Sequence, residues 1–192
     1  MLFIEYSWQR KFVFCTAFVL VASQLPFDFP SGHGDFPSPD GIQSGDIVFI
    51  HGKSFRSAVV RFLEGGNRSY SHVGLVVLEN GRPFIIHADP AHDAATDRVM
   101  KQPWDAVISP AHIAAAAIFR VADTSTADRL GIQAATIAQR FLSAALPFDH
   151  EFSLTTPQKL YCTELVWRAY MAAGIDLRDS SFGSDRKYLL PS

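Results

Sequence analysis

The stretch His72-Val73-Gly74-Leu75-Val76-Val77-Leu78-Glu79-Asn80-Gly81-Arg82-Pro83-Phe84-Ile85-Ile86-His87-Ala88-Asp89 decides how this chain folds. Asn80-Gly81 is the dipeptide favoured by a two-residue β-hairpin turn, because both central residues must take positive φ. The flanking runs, His72 to Leu78 and Pro83 to Ala88, are β-branched and apolar and read as the two strands. With a tight turn Glu79 faces Arg82, and stepping outward sets Gly74 opposite His87 and His72 opposite Asp89. Side chains alternate along a strand, so His72, Gly74, His87 and Asp89 fall on one face of the sheet. His87 lies diagonal to His72, and Gly74 leaves the space between them open. One imidazole is thereby placed to be oriented by a second polar group, either His87 or Asp89. A slip of one residue in the pairing would undo this arrangement.

Working outward, Asp46-Ile47-Val48-Phe49-Ile50 reads as an earlier strand, and Ser54 can cap a helix through Val59, Val60 and Leu63 that Gly65-Gly66 ends. Residues 89–112 show no sustained period and contain Pro90, Pro103 and Pro110, so they read as a long excursion with one helical turn near Trp104. Ala115 to Val121 reads as a further strand. Ser125 to Leu146 fits an amphipathic helix, with Leu130, Ala134, Ile137, Phe141 and Ala145 at three- and four-residue steps before Pro147. A last helix starts near Thr156 or Leu160 and runs to Ala173, with Gly174 as its stop. The expected class is α+β, an antiparallel sheet with a helix packed against it.

A chain of 192 residues that is 48% hydrophobic can bury one substantial core but is short for two domains. A formal charge of −2 and the lack of any Lys/Arg cluster remove the field a nucleic-acid partner requires. Near the N-terminus, Arg10 and Lys11 precede an apolar run from Phe12 to Ala22, and Val21-Ala22-Ser23 suits signal-peptidase cleavage. Residues 1–23 therefore read as a secretory signal, and export to the periplasm or the medium is expected. The run falls short of the roughly 20 residues a span needs, so no permanent membrane span is expected. Residues 24–44, with Pro26, Pro30, Pro37 and Pro39, read as a linker to a domain over 45–192. Loss of the signal removes Cys15 and leaves Cys162 as the one thiol. Such a cysteine is either a small buried hydrophobe or a reactive group.

A cysteine nucleophile needs a depressed pKa, which an imidazolium and a helix N-terminus both supply. Cys162 stands near the start of the last helix, where free N–H groups act on the sulfur and can help hold a developing oxyanion. Zinc is the competing use of His72, His87, His92 and Cys162. The chain lacks the short-spaced ligand pairs of structural zinc sites and has no helical i,i+4 histidine pair, so no metal and no cofactor are expected.

Taken in order, Gly45-Asp46-Ile47-Val48-Phe49, Ser71-His72-Val73-Gly74, His87-Ala88, Pro147-Phe148-Asp149 and Tyr161-Cys162-Thr163-Glu164-Leu165-Val166 resemble segments of the permuted NlpC/P60-like hydrolases of the YiiX type. The resemblance implies a permuted papain-like fold in which the histidine strand precedes the cysteine helix. It implies Cys162 as nucleophile, His72 as general base and His87 as the orienting residue, where relatives often carry Glu. Asp46, Tyr161 and Asp149 match family-like positions and, with Asp89, are expected to line the cleft or hold it together. The expected reaction is hydrolysis of an amide, in a cell-wall peptide or a related small substrate, through a thioester. Acyl transfer from lipids or thioesters on the same fold, and a binding module that has lost catalysis, are the competing readings.

Overall fold

Alternation along the hairpin sends Val73, Leu75 and Val77 to one face of the sheet and Val76 and Ile85 to the other, so both faces must be covered. The computed structural model describes residues 2–5, 37–53, 70–90, 97–122 and 127–177. Its strands are β1 (Leu2–Glu5), β2 (Ile47–Gly52), β3 (His72–Glu79), β4 (Arg82–Asp89), β5 (Arg98–Pro103) and β6 (Ile113–Ala122). They form one sheet in the order β1-β6-β2-β3-β4-β5, antiparallel at every pairing. The helices are the single turn α1 (Trp104–Val107), α2 (Ala127–Ser143) and α3 (Cys162–Ala173). The helix expected after Ser54 and the apolar run of the export reading lie outside the described residues. Among the described residues no helix is long and apolar enough to cross a membrane.

The hairpin register is the one its turn demands: Glu79 pairs with Arg82 and Leu75 with Ile86, with Asn80 and Gly81 both at positive φ. α2 and α3 cover one face, burying Ala134, Ala135 and Ala138 of α2 and Leu165 and Ala169 of α3 against Leu75 and Ile86. The alanines are small enough to let α2 lie close to its neighbours. The opposite face carries Val48, Ile50 and Ile118 under Trp104, Ile108 and Ile42. Ile42 lies within the segment read as linker, and it is buried in this second cluster.

Besides β1, which lies inside the stretch read as a signal and pairs with β6, two elements depart from the sequence expectations. Arg98–Pro103 is a strand where an excursion is expected. Its signal is weak because β5 is an edge strand with Val99 as its one fully buried side chain, and an edge tolerates Pro103. α3 starts only at Cys162, later than Thr156 or Leu160. The preceding backbone is held otherwise: the Asp149 carboxylate accepts the N–H groups of Glu151 and Ser153 and the Thr156 hydroxyl, and Leu160 donates to the Pro147 carbonyl.

Where β2 begins, the backbones of Gly45 and Gly131 touch, and the Tyr170 hydroxyl donates to the Gly45 carbonyl. Gly45 has φ +96°, and a Cβ there would stand 2.3 Å from the Gly131 backbone. Neither partner is a side chain able to give way. Gly45→Ala is therefore expected to lower stability by roughly 2–4 kcal/mol, combining left-handed backbone strain and overpacking, read as a lower midpoint in urea at unchanged slope.

Candidate active site

The start of β3 is where three polar side chains from neighbouring strands converge. His72 Nε2 lies 2.8 Å from His87 Nδ1, with the rings edge to face at 4.9 Å between centroids. His87 Nε2 lies 2.9 Å from the amide oxygen of Gln102. Since His87 sits between Gly74 and Met100 on adjacent strands, Gln102 reaches it diagonally from β5. Gly74 makes this contact feasible: a Cβ there would meet Ile85 Cγ2 at 2.5 Å and His87 Cβ at 3.2 Å. His87, rather than Asp89, is thus the group on His72. Asp89 is exposed, and its negative charge acts on His87 and Cys162.

The thiol reaches this place from the other face of the sheet. The Val76 N–H bonds to Asp46 on the β2 side, so alternation points the Val73 N–H toward β4. The β3–β4 ladder, however, ends at Leu75 and Ile86. The backbone N–H groups of Val73 and Thr163 act on the Cys162 thiol and favour its charged form. The start of α3 is thereby brought to the start of β3, where Val73 follows His72.

Tyr161 is the extended N-cap residue of α3, at φ −101° and ψ 172°. It is fully buried, with its ring edge-on to Phe152 at 5.3 Å, so it anchors the helix start. Glu164 reaches back to the Tyr161 backbone N–H and holds Arg168 Nε at 2.7 Å, acting as one arm of a capping box. Of the two roles expected for Asp46 and Asp149, lining the cleft or holding it together, their contacts are those of the second. Asp46 is taken up by Arg120, at 2.6 and 2.7 Å, and by the Gln43 N–H. It pairs with β3 at Val76, four positions along from His72. Asp149, fully buried, organises the loop before α3 and so positions the start of that helix from behind.

Gln102 was not a candidate from sequence. It sits in the stretch whose lack of period hid β5, and a lone polar residue before proline carries no motif; only the diagonal geometry identifies it.

The electrostatics run against the sequence expectation of a depressed thiol pKa. Burial pushes the Cys162 thiol up to about 12, and the N–H groups of Val73 and Thr163 offset that only in part. Burial also pulls His72 down to about 4. His87 likewise falls to about 4, through burial and the nearby His72, against the opposing pull of Asp89 and Gln102. Desolvation outweighs the helix N-terminus, and the site rests as neutral thiol and neutral imidazoles.

The chain is similar to known proteins in sequence and in fold. The model of a family described as permuted papain-like amidase enzymes, YaeF/YiiX, C92, matches residues 41–188. Uncharacterized protein YiiX of Escherichia coli K12 is 28% identical over 131 residues, covering 68% of this chain and 58% of YiiX. The chain thus spans less than two thirds of that curated relative. A crystal structure described as metalloprotein YiiX from Escherichia coli O157:H7 superposes with a TM-score of 0.54 at 26% identity, over 71% of this chain and 69% of that one.

Two neutral histidines set the acid response of the fold. An unfolded chain takes up these protons near pH 6.5 and the folded one only near 4, so stability is complete above that window and falls as pH drops through it. The melting temperature should decline from about pH 6.5 to 4, and His87→Gln should flatten the decline. A wild-type curve flat across that range would contradict the neutral pair.

Proposed function

The chain belongs to the YaeF/YiiX, C92 family of permuted papain-like amidases, and on that footing we propose that it hydrolyses amide bonds with Cys162 as nucleophile, His72 as general base and His87 orienting the base. The observation that carries this reading is that the Cys162 thiol feels the backbone of Val73, the neighbour in sequence of a His72 whose Nε2 is held by His87. The permuted papain-like fold supports it, because the strand histidine precedes the helix cysteine in the chain.

In this mechanism the neutral thiol gives its proton to His72 as the sulfur attacks the amide carbonyl, rather than resting as a preformed ion pair. The first N–H groups of α3, which lack intrahelical acceptors, supply donors to the oxyanion. His72 then protonates the departing amine, and water cleaves the thioester. The proposed substrates are cell-wall peptides or related small amides, a class that follows from the export expected of residues 1–23.

The structural relative is described as a metalloprotein. The donor set here does not suit a resident metal: His72 Nε2 and both nitrogens of His87 are in hydrogen bonds, and burial keeps the thiol protonated. Among the described residues no group of three His, Cys, Asp or Glu side chains is arranged to hold an ion. No step is routed through one.

Replacing Cys162 with Ala should lower amide turnover on the order of 10³-fold or more while circular dichroism stays native; turnover retained in Cys162→Ala ends this reading. Iodoacetamide should label Cys162 more slowly at neutral pH than it labels a free thiol, with the rate still rising above about pH 9, because the thiolate is scarce until then.

A further inference from the structure

The hydrogen bonds behind His72 have a direction, and one residue outside the Cys-His-His set fixes it. An amide oxygen carries no hydrogen, so the 2.9 Å contact between Gln102 Oε1 and His87 Nε2 requires the proton to sit on Nε2. A neutral imidazole has one donor and one acceptor nitrogen. His87 is 2% exposed, and burial keeps both rings neutral. His87 Nδ1 is then an acceptor, and the 2.8 Å contact to His72 Nε2 requires the proton to sit on His72 Nε2. His72 Nδ1 is left with its lone pair.

We propose that Gln102 is a positioning residue that sets the tautomers of both histidines, so that His72 carries its basic lone pair on Nδ1. This rests on the reading of His72 as general base. Gln102 makes no contact with the reacting atoms; it acts through His87. A side chain that donated a hydrogen at this position would reverse both rings and place a proton on His72 Nδ1, where no further proton could be taken up. With the observed polarity, the S–H bond of Cys162 breaks with its electron pair left on sulfur, and the proton binds the Nδ1 lone pair. The resulting imidazolium keeps its Nε2–H on His87. The amide of Gln102 accepts no proton at the end of the chain, so the positive charge stays on the imidazole pair.

The test is 15N NMR of histidine-labelled full-length protein at neutral pH, in the wild type and in Gln102→Glu and Gln102→Leu. The wild type should show both Nε2 atoms protonated and His72 Nδ1 unprotonated. Gln102→Glu, still an acceptor, should preserve that pattern. Gln102→Leu should show a protonated fraction at His72 Nδ1, with kcat reduced about tenfold or more and KM unchanged. A wild-type His72 protonated at Nδ1, or a Gln102→Leu spectrum identical to wild type, overturns the proposal. The wild-type spectrum needs neither a variant nor turnover. Loss of the tautomer pattern with Cys162→Ala inactive removes Gln102 alone, whereas an intact pattern with Cys162→Ala active removes the thiol mechanism alone.

Discussion

The early end of the pairing between β3 and β4 is the constraint on which this site depends. The Val73 N–H is aimed at β4, yet the ladder has already ended at Leu75 and Ile86. The start of α3 comes to this opening, where the Val73 backbone acts on the Cys162 thiol. A helix packed on one face of the sheet thereby meets a strand whose histidine projects on the other face. The late start of α3 serves the same end. Tyr161 is locked in extended conformation and Glu164 returns to its N–H, so the helix can begin only at the thiol.

Around this point the buried acids are structural. Asp46 neutralises Arg120 where β2 begins, Asp149 shapes the loop that delivers Tyr161, and Glu164 closes the helix start while holding Arg168. Arg168 in turn donates to the Leu154 carbonyl, tying that loop to α3. Asp46 and Asp149 are satisfied chiefly by backbone donors or by one arginine, as low-dielectric surroundings require of charged groups, whereas the buried Glu164 Oε2 has no hydrogen-bond partner among the described residues. The polar groups that remain for chemistry are neutral, and their arrangement depends on hydrogen-bond direction more than on charge.

Much of this was legible in the sequence where local rules are strict. Asn80-Gly81 admits one turn geometry, and that geometry places His72, Gly74 and His87 on one face before any tertiary contact is known. Gly174 likewise marks the end of α3, where it takes φ 106°. The family resemblance supplied Cys162 and its partner across some ninety positions, a link no local rule provides. What stayed hidden was set by tertiary context. β5 is the last strand of the sheet, bridged on its outer side only at Arg98 and Pro147, so its pattern is faint and Gln102 within it carried no mark. Asp46 and Asp149 look the same in sequence whether they face a cleft or a guanidinium. The thiol's pKa could not be read from its helix position, because desolvation, a property of the packed whole, outweighs the local dipole.

The two-residue turn at Asn80-Gly81 works at a distance of seven positions as the device that sets parity for the face carrying His72 and His87. Strand side chains repeat every second residue, so a loop longer by one would exchange His87 for Ile86 or Ala88 opposite Gly74. The imidazole would then point among the aliphatic side chains beneath α3. An insertion here keeps the two imidazoles together only if it conserves the alternation, so this short, exposed loop sets by its length which side chains meet at the hairpin's open end.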